Sequence, residues 1–235
     1  MVSQQFFDIV SEKVNTIMNN EKENIQKAAE VIAESIMNGG IIQSFGSGHS
    51  YAGAIEIAGR AGGLIPAKVI EDPTRGELEI VEGSGKALMR RVQLEKNDVV
   101  VIISNSGRNP MPLEIAEIVK AKGVKIIAVT ALEISKKTTS RHSSGKRLFE
   151  FADVVLNNHS VEGDCAITME GLDVPVGPTS SIACSLLLNA TILEAYEIMI
   201  SKGYKVPVFK SANVDGGREF NKTLLEKYAH RIYRL

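Results

Sequence analysis

The sequence predicts an α/β protein with one parallel sheet of five strands and helices on both of its faces. Three observations carry this. Short β-branched runs alternate with helix-period segments through the middle of the chain, as successive βαβ units require. The run Val99 to Ser104, VVVIIS, is apolar on both alternating faces, as a central strand covered from both sides must be. Two strands run into loops rich in glycine and serine that open helical segments, and open parallel sheets bind ligands at such carboxyl ends.

Phe6, Phe7, Val10, Val14 and Ile17, then Ile25, Ala28, Ala29, Ile32 and Ile36, recur at three- and four-residue steps. They predict two amphipathic helices over about 1–38, stopped by Gly39 and Gly40. Strands follow at Ile41 to Phe45, Leu64 to Ile70, Asp98 to Ser104, Val124 to Thr130 and Asp153 to Asn157. Between the second and third, Asp72 to Arg91 opens with turn residues and closes on the helical pattern Ala87, Leu88, Val92. Ser135 to Arg147 holds Lys136, Lys137, Arg141, Lys146, Arg147 and His142 without an acid, where a short connection suffices, which suggests a lid. A polar, glycine-containing loop then leads to Gly177-Pro178-Thr179-Ser180-Ser181 and a long apolar helix from Ile182 to Ile200. The tail, about 205–235, places a Gly-Gly turn before a charged amphipathic helix. No repeat or linker divides the chain, so residues 1–235 are expected to form one domain.

Composition narrows the partners. The 235 residues are 44% hydrophobic and 23% charged, near the globular average, which excludes a disordered chain. The formal charge of -1 offers no basic field, so neither nucleic acid nor a membrane is an expected partner. Cys165 and Cys184 lack metal or redox spacing and read as reduced structural thiols. MVSQQFFDIV has neither a basic leader nor an apolar block, which suggests a cytoplasmic protein.

After the first strand the chain reads Gly46-Ser47-Gly48-His49-Ser50, and after the third Ser104-Asn105-Ser106-Gly107-Arg108-Asn109-Pro110. Small residues let backbone N–H groups approach an anion, hydroxyls add donors and a helix N-terminus adds partial positive charge, so the pattern suits a phosphate. At one isolated loop, serine and asparagine would more simply cap the next helix; two such loops and GPTSS together favour the anion. Two look-alikes fall away. GSGHSY lacks the third glycine of a dinucleotide-binding loop, and Gly83-Ser84-Gly85-Lys86-Ala87 has Ile80 and Ala87 where an ATP loop needs Gly and Ser or Thr. No cofactor and no metal are expected.

Together GSGHSY, SNSGRN and GPTSS resemble the sugar isomerase, or SIS, domain family, and within it a bacterial subgroup similar to phosphoheptose isomerases. The resemblance covers the whole chain and implies a three-layer α-β-α sandwich of flavodoxin-like kind. It implies that Ser47, Gly48, His49 and Ser50 lie near the sugar, that Ser104, Asn105, Ser106 and Gly107 surround the phosphate, and that Thr179 and Ser180 complete the ring. Asn109 stands where many members have Thr, and Arg108 and Pro110 also depart from the pattern.

The candidate acid or base is Glu56, in a segment that resembles the one carrying the catalytic glutamate of phosphoheptose isomerases, displaced by one helical turn. Glu56 follows His49 by seven residues, near two turns, so both share a helix side if the helix starts there, and the small Ala52 and Gly53 leave room between them for a ligand. The alternatives for Glu56 are a solvated helix residue or an ion-pair partner of Arg60 at i+4. His49 suits proton transfer between sugar oxygens or a helix cap. His142 and His159 could reach the same crevice, and His230 belongs to the terminal helix. The long helix has no histidine, whereas phosphoheptose isomerases carry a catalytic one there.

The leading expectation is aldose-ketose isomerisation of a phosphorylated sugar or amino sugar through an enediol, with Glu56 moving the carbon-bound proton. A phosphosugar sensor without turnover, or a phosphosugar lyase or deaminase, are the alternatives. The apolar surplus of the first two helices and the long late helix suggests a homodimer or homotetramer, and similar SIS proteins assemble sites between subunits.

Overall fold

The computed structural model describes residues 1–233. Two helices, α1 (Val2–Asn20) and α2 (Lys22–Met37), precede the sheet. Its strands are β1 (Ile42–Gly46), β2 (Ala67–Val69), β3 (Val99–Ile103), β4 (Lys125–Thr130) and β5 (Val154–Asn157). They are joined by α3 (Tyr51–Ile57), α4 (Ser84–Met89), α5 (Pro110–Ala121) and α6 (Leu132–Lys137). A separate antiparallel pair, β6 (Cys165–Ile167) and β7 (Val176–Pro178), precedes α7 (Ser180–Ser201) and α8 (Gly217–Ile232).

All five main strands run parallel in the order β2-β1-β3-β4-β5, so the strand order reverses between β1 and β3. Period-2 alternation splits β3 between two cores. Val99, Val101 and Ile103 pack with α2 and α7, while Val100 and Ile102 pack with α5 and Phe45.

The expected second strand is shorter than its apolar run. The ladder begins at Pro66, whose carbonyl accepts from Ile42 N–H but which has no N–H to donate, and Leu64 and Ile65 pair instead with Val208 and Pro207 of the returning chain. The β6–β7 hairpin was absent from the sequence expectation, because three-residue strands with Gly177 and Pro178 in one of them carry no readable period. α7 extends the expected helix to 22 residues and packs on α2, α3 and α1.

α8 is anchored at the amino end of the sheet. Arg231 donates to both oxygens of Asp98 at 3.0 and 2.8 Å and meets Glu95 at 2.7 Å. The same buried carboxylate accepts from the Ile41 and Glu95 amides and from Gln43 Nε2.

Candidate functional site at the carboxyl edge of the sheet

The register aligns a polar row across the carboxyl edge. Gly46 pairs with Ile103, Ile103 with Val129, and Thr130 with Asn157, so the next residues, Ser47 and Ser104, stand beside Thr130 and Asn157 on strands about 4.8 Å apart. The β1/β3 reversal thus brings the two serine loops together.

Neither loop spends its polar groups on capping. Ser50, Asn109 and Thr179 are the N-cap residues of α3, α5 and α7, and none makes a side-chain cap bond. In the second loop, Ser104 Oγ accepts the Gly107 amide at 3.3 Å, with Gly107 at φ +60. The amides of Ser106, Arg108 and Asn109 and the Ser106 hydroxyl find no partner among the described residues. The expected help from the α5 terminus is reduced, because Pro110 and Pro112 have no N–H and Met111 N–H is held by the Glu79 carbonyl at 3.1 Å. The open donors therefore belong to the loop before the helix.

Two segments fix that loop. Arg141 N–H donates to the Arg108 carbonyl at 2.9 Å and Leu148 N–H to the Gly107 carbonyl at 2.8 Å, so the basic stretch expected as a lid is stitched down. Asn109 lies between Glu79 at 3.0 Å and Arg141 at 3.2 Å, and Asn105 Oδ1 accepts from Asn158 at 2.8 Å. His142 is not a surface residue. Its side chain is buried within 4 Å of the Glu82 and Glu114 carboxylates, and Ser143 donates from its amide and hydroxyl to Glu82.

A strap from Asp72 to Glu82 covers the first loop. Ser47 Oγ donates to Asp72 at 2.6 Å, as do Thr74 Oγ1 at 2.6 Å and the Thr74 and Gly76 amides at 2.9 Å. Gly76 lies so close to Gly48 that a Cβ there would fall 3.2 Å from the Gly48 backbone. Between loop and strap lies a cavity of about 530 Å³ lined by Gly46, Gly48, Tyr51, Glu71, Asp72, Pro73 and Arg75. Arg75 holds a left-handed backbone, φ +52, that non-glycine residues adopt at a cost. Sequence reasoning treated Asp72 and Arg75 as turn residues. Their place, just after the carboxyl end of β2, is the signal that marks them.

Burial pushes the Asp72 carboxyl up, but the donors from Ser47, Thr74 and Gly76 outweigh it and hold it below its ordinary value of 3.8. A depressed folded value means that the stabilisation is complete well above pH 3.8 and disappears as pH falls through the folded value. The stability gap between wild type and Asp72→Asn, followed by urea melts across pH, is thus expected to be constant near neutrality and to close only below pH 3.8. A gap that closes above pH 5 would refute this account of the strap.

Glu56 stands apart from that cavity. Arg60 and Asn189 both contact its Oε1, the latter at 2.8 Å, in a small pocket between α3 and α7 lined by Gly62, Gly63, Leu188 and Ile192. The i+4 pair with Arg60 is therefore formed. His49 is exposed and lies in a 3-10 turn, Gly48–Ser50, so the α-helical count linking it to Glu56 starts only at Tyr51. The room expected at Gly53 is taken by Cys184 Sγ, 2.5 Å from where a Cβ would stand. Burial pushes the Cys184 thiol up to about 12.

Thr179 and Ser180 face inward. Ser180 donates from its amide and hydroxyl to Asp164, whereas the buried Thr179 hydroxyl has no partner among the described residues. His159, at φ +51, meets the buried Glu21 at 2.8 Å and ties the first two helices to β5. His230 is exposed. The ATP look-alike does cradle an anion, but the anion is internal: Glu114 accepts the amides of Gly83 at 2.6 Å, Gly85 at 2.8 Å and Lys86 at 3.2 Å.

Comparison with known proteins agrees with this fold. The SIS domain model matches residues 5–131. A UPF0309 protein of Listeria monocytogenes is 55% identical over 98% of both chains, and one of Geobacillus thermodenitrificans is 42% identical over 97% of this chain and 95% of its own. Among solved structures, a phosphoheptose isomerase from Neisseria gonorrhoeae superposes with a TM-score of 0.57 at 17% identity, covering 84% of this chain and all of that one. One from Francisella tularensis gives 0.58 at 15% identity, covering 83% and 96%. At those identities the likeness is one of fold. The family match over more than half of the chain, and the relatives that run its full length, make it a member of the SIS domain family, among its UPF0309 proteins.

Proposed function

We propose that the chain binds a phosphorylated sugar or amino sugar at the β1/β3 reversal and interconverts its aldose and ketose forms. The observation that carries the reading is the second loop, where three amides and the Ser106 hydroxyl have no internal acceptor among the described residues. Phosphate oxygens would satisfy those donors. The sugar would extend toward the cavity between the first loop and the strap, near Ser47, Gly48, His49 and Ser50. Glu56 is the proposed base that moves the carbon-bound proton, and His49 is proposed to serve the sugar oxygens. The fold shared with the phosphoheptose isomerases supports the sugar-phosphate part of the reading, which also includes a cytoplasmic homodimer or homotetramer.

Calorimetric titration with a phosphosugar and its unphosphorylated analogue tests the phosphate assignment. A hydrogen bond to a charged group contributes about 1.5–3 kcal/mol, so Ser106→Ala is expected to weaken the phosphosugar roughly 10-fold to 100-fold and to leave the analogue unchanged. Equal losses for both sugars would sink the assignment.

A second reading, a sensor that binds without turnover, draws on the separation of Glu56 from the loop cavity. Exchange of the sugar C2 proton with solvent supports the isomerase, and saturable binding without exchange supports the sensor.

A further inference from the structure

We infer that Arg141 is the cation of the phosphate site, and that it makes the site select the dianion of a phosphate monoester over an anion of single charge. This selection rests on the proposed phosphosugar reading and deepens it by naming the charge that the loop is built to hold.

The second loop by itself offers a phosphate only neutral donors, the amides of Ser106, Arg108 and Asn109 and the Ser106 hydroxyl. The helix behind it adds little, because Pro110 and Pro112 carry no N–H and Met111 N–H is taken by the Glu79 carbonyl. A phosphate monoester has a second pKa of about 6 and carries about two charges above it. Taking such a group out of water is costly unless its charge is paired, so a cation is the missing part.

Two arginines stand at the loop, and each reaches across to the other's segment. Arg108 belongs to the loop, but its Nη2 donates to Thr139 Oγ1 of the basic stretch at 3.1 Å. Arg141 belongs to the basic stretch, but its Nη1 donates to Asn109 Oδ1 of the loop at 3.2 Å. The Arg141 amide also donates to the Arg108 carbonyl at 2.9 Å. Arg141 is therefore fixed, through backbone and side chain, to two of the residues whose amides are open.

No acid neutralises it. In the same stretch Lys136 pairs with Glu133 and Arg147 with Glu150, both at 3.0 Å, whereas no carboxylate lies within 4.0 Å of the Arg141 guanidinium among the described residues. Asn109 keeps Glu79 off it, giving its side-chain N–H to Glu79 at 3.0 Å and its carbonyl to Arg141. A threonine there, with donor and acceptor on one oxygen, could not hold an acid and a cation at separate ends. Arg141 is exposed and spends one of its five N–H donors on Asn109, so a planar fork stays open beside the loop. Arg108 is the rival cation, since its buried Nε has no partner among the described residues. Its Nη2 is committed to Thr139, however, which makes it a strut for the stretch that carries Arg141.

Calorimetric titration at pH 8 with glucose 6-phosphate, glucose 6-sulfate and inorganic phosphate tests the assignment. The two esters are close in shape, but the sulfate carries one charge and the phosphate about two. Arg141→Gln is expected to weaken glucose 6-phosphate and inorganic phosphate roughly 10-fold to 100-fold, the loss of a hydrogen bond to a charged group. Coulomb attraction scales with charge, so the sulfate ester is expected to lose only about the square root of that, roughly 3-fold to 10-fold. Arg141→Lys keeps the charge without the fork and is expected to fall between wild type and Arg141→Gln. The melting temperature is expected to stay unchanged, because Arg141 is exposed and its backbone bond to Arg108 survives the substitution. Equal losses for the two esters in Arg141→Gln overturn the inference. So does a preference for the dianion that persists in Arg141→Gln and vanishes in Arg108→Gln. Ser106→Ala keeps the two questions apart: phosphate weakened there but not in Arg141→Gln removes the cation and leaves the loop, and a wild type that binds neither glucose 6-phosphate nor inorganic phosphate removes both.

Discussion

Glu56→Gln is expected to lower phosphosugar turnover by about 100-fold to 10,000-fold, the range lost when a positioned general base is removed, with KM little changed. Glutamine keeps the size of the side chain and an oxygen for Asn189 but cannot take a proton from carbon. Both contacts to Glu56 fall on Oε1, so the carboxylate is oriented through one oxygen while the other carries neither bond. Losing the half-exposed Arg60 pair costs only about 0–1 kcal/mol, so a large fall in turnover cannot come from unfolding. The measurement pairs steady-state rates with C2 deuterium exchange. Wild-type exchange that vanishes in the variant assigns the proton to Glu56, and full activity in the variant removes it from the role.

Arg231→Ala is expected to destabilise the fold by about 3–5 kcal/mol, the cost of stranding a buried carboxylate without its cation. The Asp98 side chain is wholly buried, and Arg231 is itself nearly so. The remaining hydrogen-bond donors to Asp98, two amides and Gln43, carry no charge, and Lys68, which also feels the Asp98 carboxylate, offers no fork to replace the guanidinium. Arg231→Lys keeps the charge but loses the fork that reaches both oxygens, and is expected to fall between the two. Urea melts with unchanged slope measure the loss, and one below about 1 kcal/mol would show that α8 is held by apolar packing instead.

Regular elements were legible because their cause is local. The alternation within Val99 to Ile103 already encodes two buried faces, and the three- and four-residue steps up to Ile36 encode α1 and α2. The loops at the carboxyl ends of β1 and β3 were legible as candidates for the same reason: glycine and serine next to a strand end are a local signal. Their bonding partners were not. Ser47 is committed to Asp72 across 25 residues, and Gly83 meets Glu114 across 31. Such pairs exist only once the fold brings them together. The amide nest of Gly83 to Lys86 shows this most clearly, since its sequence specifies an anion and its tertiary neighbour specifies which one.

The Asp98–Arg231 pair also sets a clock on biosynthesis. Its members are 133 residues apart, so at about 5–20 residues per second the ribosome makes Asp98 roughly 7 to 27 s before the cation that neutralises it. During that interval β1 and β3 have been synthesised, but the end of the sheet opposite the serine loops still holds a carboxylate awaiting its arginine. The nascent chain therefore has reason to delay drying that end, and because wild-type and Arg231-substituted chains are identical until residue 231 is added, such substitutions should act only on the docking of α8 that follows.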